Sequence, residues 1–348
     1  MLAELPPASL RLRIDRAALI DNWRALDRLS GSASAGAAVK ADGYGLGVEH
    51  VVPALQEAGA RAFFVAHWSE VPGVLAHVPG EQVAVLHGVA NAQEVAFARA
   101  TGTVPVLNSL HQLALWQAGG GGRCHVMVDT GMNRLGLSAG ELGDPLLAGA
   151  DIDLLLSHLA SAEDDSPQNG RQLARFREAV AQVPSRRRSL ANSAGIALGP
   201  DYHFDLTRPG LALYGGVPCD ELAGQIRQVA HVETAVLQVR QLQPGDTVGY
   251  NATWTADRPT RSATVALGYA DGILRSWGAS GALHHDGTRL PIIGRVSMDM
   301  IVVDLGDAQL KEGDFCRLSY DLPQAAQTSG LTQYELLTVL GHRFARTS

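Results

Sequence analysis

Cysteine is scarce in this 348-residue chain, and its placing excludes two common scaffolds. Cys124, Cys219 and Cys316 are odd in number and stand in no CxxC spacing, so neither a disulfide framework nor a zinc ribbon is encoded. Reduced, partly buried thiols are expected, and no metal site. Long apolar runs are missing too: no stretch of about 18 apolar residues escapes a charge, glycine or proline, which excludes a membrane-spanning helix. The N-terminus, MLAELPPASLRLRID, lacks the apolar core of an export signal, so the chain is expected to stay in the cytoplasm. Positive charge is also short. Lys and Arg number 28 against 35 Asp and Glu, a net charge of −7 without a sustained basic stripe, which argues against nucleic acid as a partner. The run Arg186-Arg187-Arg188 reads as a solvated helix end or loop.

What remains is ordinary globular material, 46% hydrophobic with 38 glycines. At about 150 residues per domain the length suggests two domains, and an α/β barrel of about 250 residues would leave room for the second. Short apolar runs alternate with amphipathic, Ala- and Leu-rich segments, the pattern of a parallel sheet built from βαβ units. The runs are Gly36–Lys40, Ala62–His67, Val83–His87, Val104–Asn108, Cys124–Asp129, Leu154–His158, Ser189–Ser193 and Asp205–Arg208. Eight closes a barrel. Helical patterns at Glu49–Gly59, Asn91–Thr101 and Asn169–Val183 lie between them, each apolar on one face. After about Ala230 the texture changes to alternating strands cut by turn signals, with one last helix at Thr332–Leu340. The expected fold is therefore α/β, an N-terminal (β/α)8 TIM-type barrel followed by a C-terminal mainly-β domain. The boundary falls in 225–234, giving domains of 1–228 and 229–348. The alternating segment Leu10–Asp15 precedes the barrel and is free to pair with the β domain.

Every one of the eight runs closes on a polar or ionisable residue: Lys40, His67, His87, Asn108, Asp129, His158, Asn192 with Ser193, and Arg208. In a barrel the C-terminal strand ends converge on one mouth, so these side chains would ring a single pocket. Lys40 leads into Ala41-Asp42-Gly43-Tyr44-Gly45-Leu46-Gly47, a glycine-rich strand-to-helix turn. Burial at such a mouth lowers a lysine pKa, and a neutral amine is what Schiff-base chemistry with an aldehyde cofactor requires. Arg208-Pro209-Gly210 and Asn192-Ser193-Ala194-Gly195 close the last two runs, where barrels often hold a phosphate through backbone amides and a hydroxyl.

The segments VKADGYGLG, MVDTGMNRLG, LLLSHLASAEDD, ANSAG, TRPGLALYGG, VGYNATWTA, LGYADG and GRVSMDMIVVDL follow one another from Val39 to Leu305 in the order found in alanine racemases, which this chain resembles. The resemblance implies pyridoxal phosphate as cofactor, a head-to-tail homodimer with two sites, and production of D-alanine for the bacterial cell wall. By the same resemblance Lys40 would carry the cofactor and act as one base, and Tyr250 would be the opposing base, reaching in from the second subunit. Arg208 would face the pyridine nitrogen, with Tyr44, Ser193, Asn192 and the backbone at Gly210 and Leu211 around the phosphate. His158 matches a further cofactor-site position. Arg134 would meet the phenolic oxygen and the substrate carboxylate, and Tyr269 and Met298, again from the partner, would line the substrate space. Two bases suit racemisation, because a proton leaves one face of the α-carbon and arrives on the other. Tyrosine's usual pKa of about 10 is too high for a base at neutral pH, so nearby cations must compensate, His158 and Arg208 being candidates for a hydrogen-bonded chain to Tyr250.

Three positions depart from the family pattern. Met127 stands where a lysine, often carbamylated, pairs with the arginine; Ser348 falls where a tyrosine contacts the phosphate; Leu46 replaces a common histidine. Arg134, expected to be buried, would then need another anion, Asp129 being the nearest in sequence. Alternatives are a racemase of broader specificity, a barrel-type decarboxylase, for which Pro218-Cys219-Asp220 is the one faint signal, and a single-domain cofactor carrier, which would be much shorter.

Overall fold

Valine-, phenylalanine- and leucine-rich runs form the parallel strands of the first of two compact units, Arg16–Arg227; the second joins the segment ending at Asp15 to Gln228–Ser348. The structure is a computed structural model and describes residues 6–348. Seven strands pair in parallel in chain order: Ala37–Ala38, Phe63–Val65, Val83–Val85, Val104–Leu107, Arg123–Met127, Asp151–Leu156 and Arg187–Ser189. The eighth, Leu206–Thr207, pairs in parallel with Ser34–Ala35, the leading piece of the first strand. Its other edge is tied back by Asp205 N–H to the Arg188 carbonyl (3.0 Å) and Arg208 N–H to that of Ala191 (2.9 Å). These bonds close the sheet, and the unit is a (β/α)8 barrel.

Gly36 explains why the first strand is split. A Cβ there would lie 3.0 Å from the Ala62 carbonyl oxygen and 3.1 Å from the Phe64 ring, because neighbours close in from both sides. The barrel interior is filled by Phe64, Ala84, Val106, Met127, Leu154, Leu156 and Leu206. Outside it, Trp116, Phe176, Leu173 and Leu113 pack from the helices Leu110–Ala118 and Pro167–Gln182 onto Val126, Ile152 and Leu155. Each such side chain, fully buried, contributes about 1.5–3 kcal/mol.

The strands end earlier than the apolar runs. They stop one to three residues before the polar closing residues, because those residues and their neighbours begin the following loops and helices. Asn91, Ser109 and Ser166 cap helices through side-chain oxygens, and Asn192 does the same for Ser193–Ala197, accepting the Gly195 N–H at 2.8 Å. Asn108 spends its amide on the Leu86 and Val106 carbonyls, both at 2.9 Å.

In the second unit the strand Leu10–Ile14 runs antiparallel to Ala230–Leu242, from Leu10 opposite Thr234 to Ile14 opposite Ala230. Ala230–Leu242 has 13 residues and serves two sets of neighbours. Its first half also pairs with Phe315–Leu318, and its second half, past an irregularity at Leu237, pairs with Thr260–Val265. A bulge of this kind bends a strand. Here it lets the order 260–265, 301–304, 288–293, 282–285, 315–318, 230–242 return to its start as a closed six-stranded ring. Among the described residues no helix is long and apolar enough to cross a membrane.

Candidate active site

Lys40 lies two residues past the first strand and opens a short turn, Lys40–Tyr44, rather than ending the strand. The next four residues all adopt left-handed backbone: Ala41 (φ 53°), Asp42 (55°), Gly43 (61°) and Tyr44 (56°). For the three with side chains this costs about 1–2 kcal/mol each, and the glycine avoids a clash with Val51. The amine is largely buried. Burial and the neighbouring Arg134 charge hold its pKa below the usual lysine value, partly opposed by Glu70. The chain has only two lysines, and the other, Lys311, is exposed in the second unit.

Tyr44 is buried and stacks on Tyr214, ring centroids 4.6 Å apart, and Tyr214 in turn donates to the Ala38 carbonyl at 2.7 Å. Burial raises the pKa of both phenols. The Tyr44 hydroxyl lies against Gly210, so close that a Cβ at that position would overlap it. Ser193 is buried; its Oγ accepts the N–H of Gly210 (2.9 Å) and of Ala212 (3.2 Å), which leaves the hydroxyl its hydrogen to donate. Leu211 begins the 3-10 turn Leu211–Tyr214 between those two amides. Arg208, 7% exposed, donates to the Ser189 hydroxyl and the Ser157 carbonyl and has no carboxylate partner among the described residues. Burial lowers its pKa to about 10, so it stays a cation at neutral pH.

His158 is pushed down to about 3 by burial and by the charges of Arg208, Arg134 and Lys40. It is therefore neutral at pH 7 and would join any hydrogen-bonded chain as a neutral ring. His87 is lowered too, by burial and by His67, whose ring meets it edge-on at 4.2 Å. Lys40 and Arg134 thus act electrostatically on both His87 and His158, and Arg208 acts on His158.

Two expectations about the Asp129 loop fail. Arg134 is exposed, so it carries no burial cost that an anion must offset. Asp129 is committed elsewhere, its Oδ1 accepting the N–H groups of Gly131, Met132 and Asn133 at 2.8–3.1 Å. Met127 is part of the apolar barrel interior. Cys219, at the end of the barrel unit, has its thiol raised to about 11 by burial and Glu221, which gives the decarboxylase reading nothing to use.

The remaining candidates lie in the second unit. Tyr250 is 68% exposed, at a tip joining the paired segments Thr247–Val248 and Trp254–Thr255, where Asn251 and Ala252 are both left-handed. Met298 is 53% exposed. Tyr269 opens the turn Tyr269–Asp271, and its N–H reaches the Ser297 carbonyl at 3.0 Å. Arg343 binds both segments, donating to buried Asp271 at 2.7 and 2.8 Å and to Asp299 at 2.6 Å. Neither Arg343 nor Glu70 carried a motif that sequence reasoning could single out; for Glu70 the one signal was a carboxylate three residues after the apolar run that closes at His67.

Pyridoxal phosphate fits the residues of the barrel unit. An amine whose pKa is held below the usual lysine value faces the space an aldehyde would take, hydroxyls and backbone amides converge at a glycine that keeps the space clear, and a buried guanidinium without a carboxylate suits a neutral ring nitrogen.

Comparison with known proteins matches residues 14–218 to the alanine racemase N-terminal domain and 229–348 to the alanine racemase C-terminal domain. An alanine racemase from Rhizobium meliloti strain 1021 is 43% identical, covering 99% of this chain and 98% of its own. Among solved structures, the alanine racemase of Bartonella henselae with covalently bound pyridoxal phosphate superposes with a TM-score of 0.90 at 37% identity, covering 98% of this chain and 99% of that one. The biosynthetic enzyme of Pseudomonas aeruginosa gives 0.88 at 32%, with the same coverage of both chains.

Proposed function

Since the chain belongs to the alanine racemase family, we propose that it interconverts L- and D-alanine with pyridoxal phosphate and so supplies D-alanine for peptidoglycan. The observation that carries this reading is the cluster of Lys40, Tyr44, Ser193 and Arg208 at the C-terminal strand ends of the barrel, on a chain matched to the family along nearly its whole length. The cofactor, when bound, supplies the electron sink that makes the α-proton removable.

The residues do the rest. Lys40 would hold the cofactor and, with its pKa lowered by burial and Arg134, take or return a proton on one face of the α-carbon. Tyr250 would serve the other face. Tyr44, Ser193 and the backbone around Asn192, Gly210 and Leu211 would hold the phosphate, and His158 would complete the cofactor's surroundings as a neutral ring. Arg208 would donate to the ring nitrogen without surrendering its proton. By keeping its proton, Arg208 would favour proton return at the α-carbon over transamination. Arg134, exposed but close enough in charge to affect Lys40, would receive the substrate carboxylate, with Tyr269 and Met298 lining the substrate space.

We further propose a cytoplasmic homodimer, in which the barrel unit Arg16–Arg227 is the cofactor-binding domain and Tyr250, Tyr269 and Met298 of the second unit complete the site of the other copy. The exposure of Tyr250 and Met298 supports this, since a second copy would cover them. The three free thiols suit a reducing compartment. The test is to supply L- and D-alanine separately and follow chirality together with keto-acid and CO2 release. Racemisation of either enantiomer without the other products is the expected outcome, and CO2 release would overturn it. Mixing Lys40→Ala with Tyr250→Phe chains should restore activity if each site draws on both copies; failure despite proven exchange would place both bases in one chain.

A further inference from the structure

The left-handed turn that begins at Lys40 does not stand alone. Within it, Gly43 N–H reaches the Val39 carbonyl at 2.9 Å and Gly45 N–H that of Ala41 at 2.8 Å. Asp42 Oδ1 accepts the Val48 N–H at 2.9 Å. From outside the turn a single carboxylate takes hold of it. Glu70 Oε1 accepts the Ala41 N–H at 2.5 Å, while Oε2 accepts the N–H groups of Ala66 at 2.7 Å and His67 at 2.9 Å. Ala66 and His67 follow the strand Phe63–Val65, which lies beside the strand leading to Lys40. The turn holding Glu70, Trp68–Glu70, is itself anchored by the Trp68 indole N–H on the Gly88 carbonyl at 2.7 Å, beyond the third strand. One carboxylate therefore spans the exits of two adjacent strands, with three charge-assisted bonds, and is braced on the next.

We propose that Glu70 is the positioning residue of the cofactor lysine: it fixes the strained turn that starts at Lys40 and ends at Tyr44, and so sets the amine and the phenol at their mutual spacing. This rests on the roles given above to Lys40 and Tyr44. Strained backbone persists only where its surroundings over-determine it, and Ala41, the first left-handed residue, is the one whose N–H Glu70 takes. The carboxylate also acts as counter-charge to Lys40, against Arg134.

Substitution separates span from charge. In Glu70→Gln the amide keeps one acceptor oxygen and presents N–H to N–H at the other exit, so the two exits uncouple and the counter-charge goes. Glu70→Asp keeps the charge but is one methylene too short to reach both exits. The readouts are pyridoxal phosphate affinity of the apoprotein, the pH dependence of its capture, borohydride labelling at Lys40 against the internal reference Lys311, and the thermal midpoint of the apoprotein. Glu70→Gln should weaken cofactor affinity about tenfold or more and move the pH midpoint of capture downward, since an amine without its counter-charge loses its proton more easily. Glu70→Asp should lose affinity while its pH midpoint stays with the wild type. Affinity and pH midpoint within twofold and a few tenths of a unit of wild type in Glu70→Gln would overturn the proposal. So would an affinity loss matched by Leu147→Ala, a remote core variant of equal thermal loss. Failure of the wild type to label at Lys40 would instead sink the functional reading on which this one rests.

Discussion

Gly210→Ala tests the phosphate end of the site by steric means alone. The added Cβ would overlap the Tyr44 hydroxyl, lie 3.0 Å from its Cζ and 3.4 Å from the Ala38 Cβ. Tyr44 cannot retreat easily. Its ring is stacked at 4.6 Å on Tyr214, which is fully buried and hydrogen-bonded to the Ala38 carbonyl. Overpacking of this sort costs about 1–3 kcal/mol. Expressed in binding, that is roughly a 5- to 150-fold loss of pyridoxal phosphate affinity, read by titrating the apoprotein and following the cofactor's absorbance. Tyr44→Phe alone should lose about 1.5–3 kcal/mol for one hydrogen bond to a charged group. Because the hydroxyl makes the worst overlap, the double variant should bind about as well as Tyr44→Phe, leaving a coupling of about 1 kcal/mol or more. Additive losses, or an unaffected Gly210→Ala variant, would refute the claim that Tyr44 is pinned between Gly210 and Tyr214.

At the opposite end of the barrel, Asp153 is 8% exposed at its side chain and binds Arg123 and Arg187 at 2.6 and 2.7 Å. Burial alone would raise its carboxyl, but Arg187 and Arg123 outweigh it and hold the pKa down to about 2 from 3.8. The difference is worth about 2 kcal/mol of stability, fully present above pH 3.8 and lost as pH falls toward 2. Asp153→Asn should lose that amount at pH 7 in denaturant unfolding and flatten the acid limb; an unchanged limb would count against the triad. Restoring the family's lysine with Met127→Lys should first cost stability, about 3 kcal/mol or more, because the position faces Phe64, Val106, Leu154 and Leu156 inside the barrel. A buried lysine's pKa falls, so the loss should shrink as pH rises toward the unfolded value of about 10.4, and a pH-independent loss would be contrary. Arg343→Met should raise KM more than it lowers kcat, since it frees the segments of Tyr269 and Met298 without touching either base; a selective fall in kcat would contradict that.

Much of the barrel was legible because its strands are continuous apolar runs, buried on both faces, with helices of clear one-sided pattern between them. Their ends are not legible in sequence, because a polar residue after a run marks the loop that follows: Val128 N–H still reaches the Leu156 carbonyl at 2.8 Å, whereas Asp129 N–H has turned to that of Leu137 at 2.9 Å. The closed ring of the second unit was not legible. It depends on one strand changing partners at a bulge, a non-local event without a local signal. Within the site, Lys40 announced itself through its glycine-rich turn, while the exposure of Arg134 and the neutrality of His158 did not, because both are set by surroundings distant in sequence. Glu70 escaped for the same reason, its partners being backbone amides on two loops.

In the proposed racemisation a proton leaves the α-carbon on one face and arrives on the other through two different groups. A single turnover of L-alanine in deuterium oxide tests it most directly, with the α-position of the D-alanine product read by mass spectrometry. Two bases require product carrying solvent deuterium from the first turnover, while recovered L-alanine stays largely unlabelled. Product that keeps the substrate's own α-proton would mean one base serving both faces, and would contradict the account.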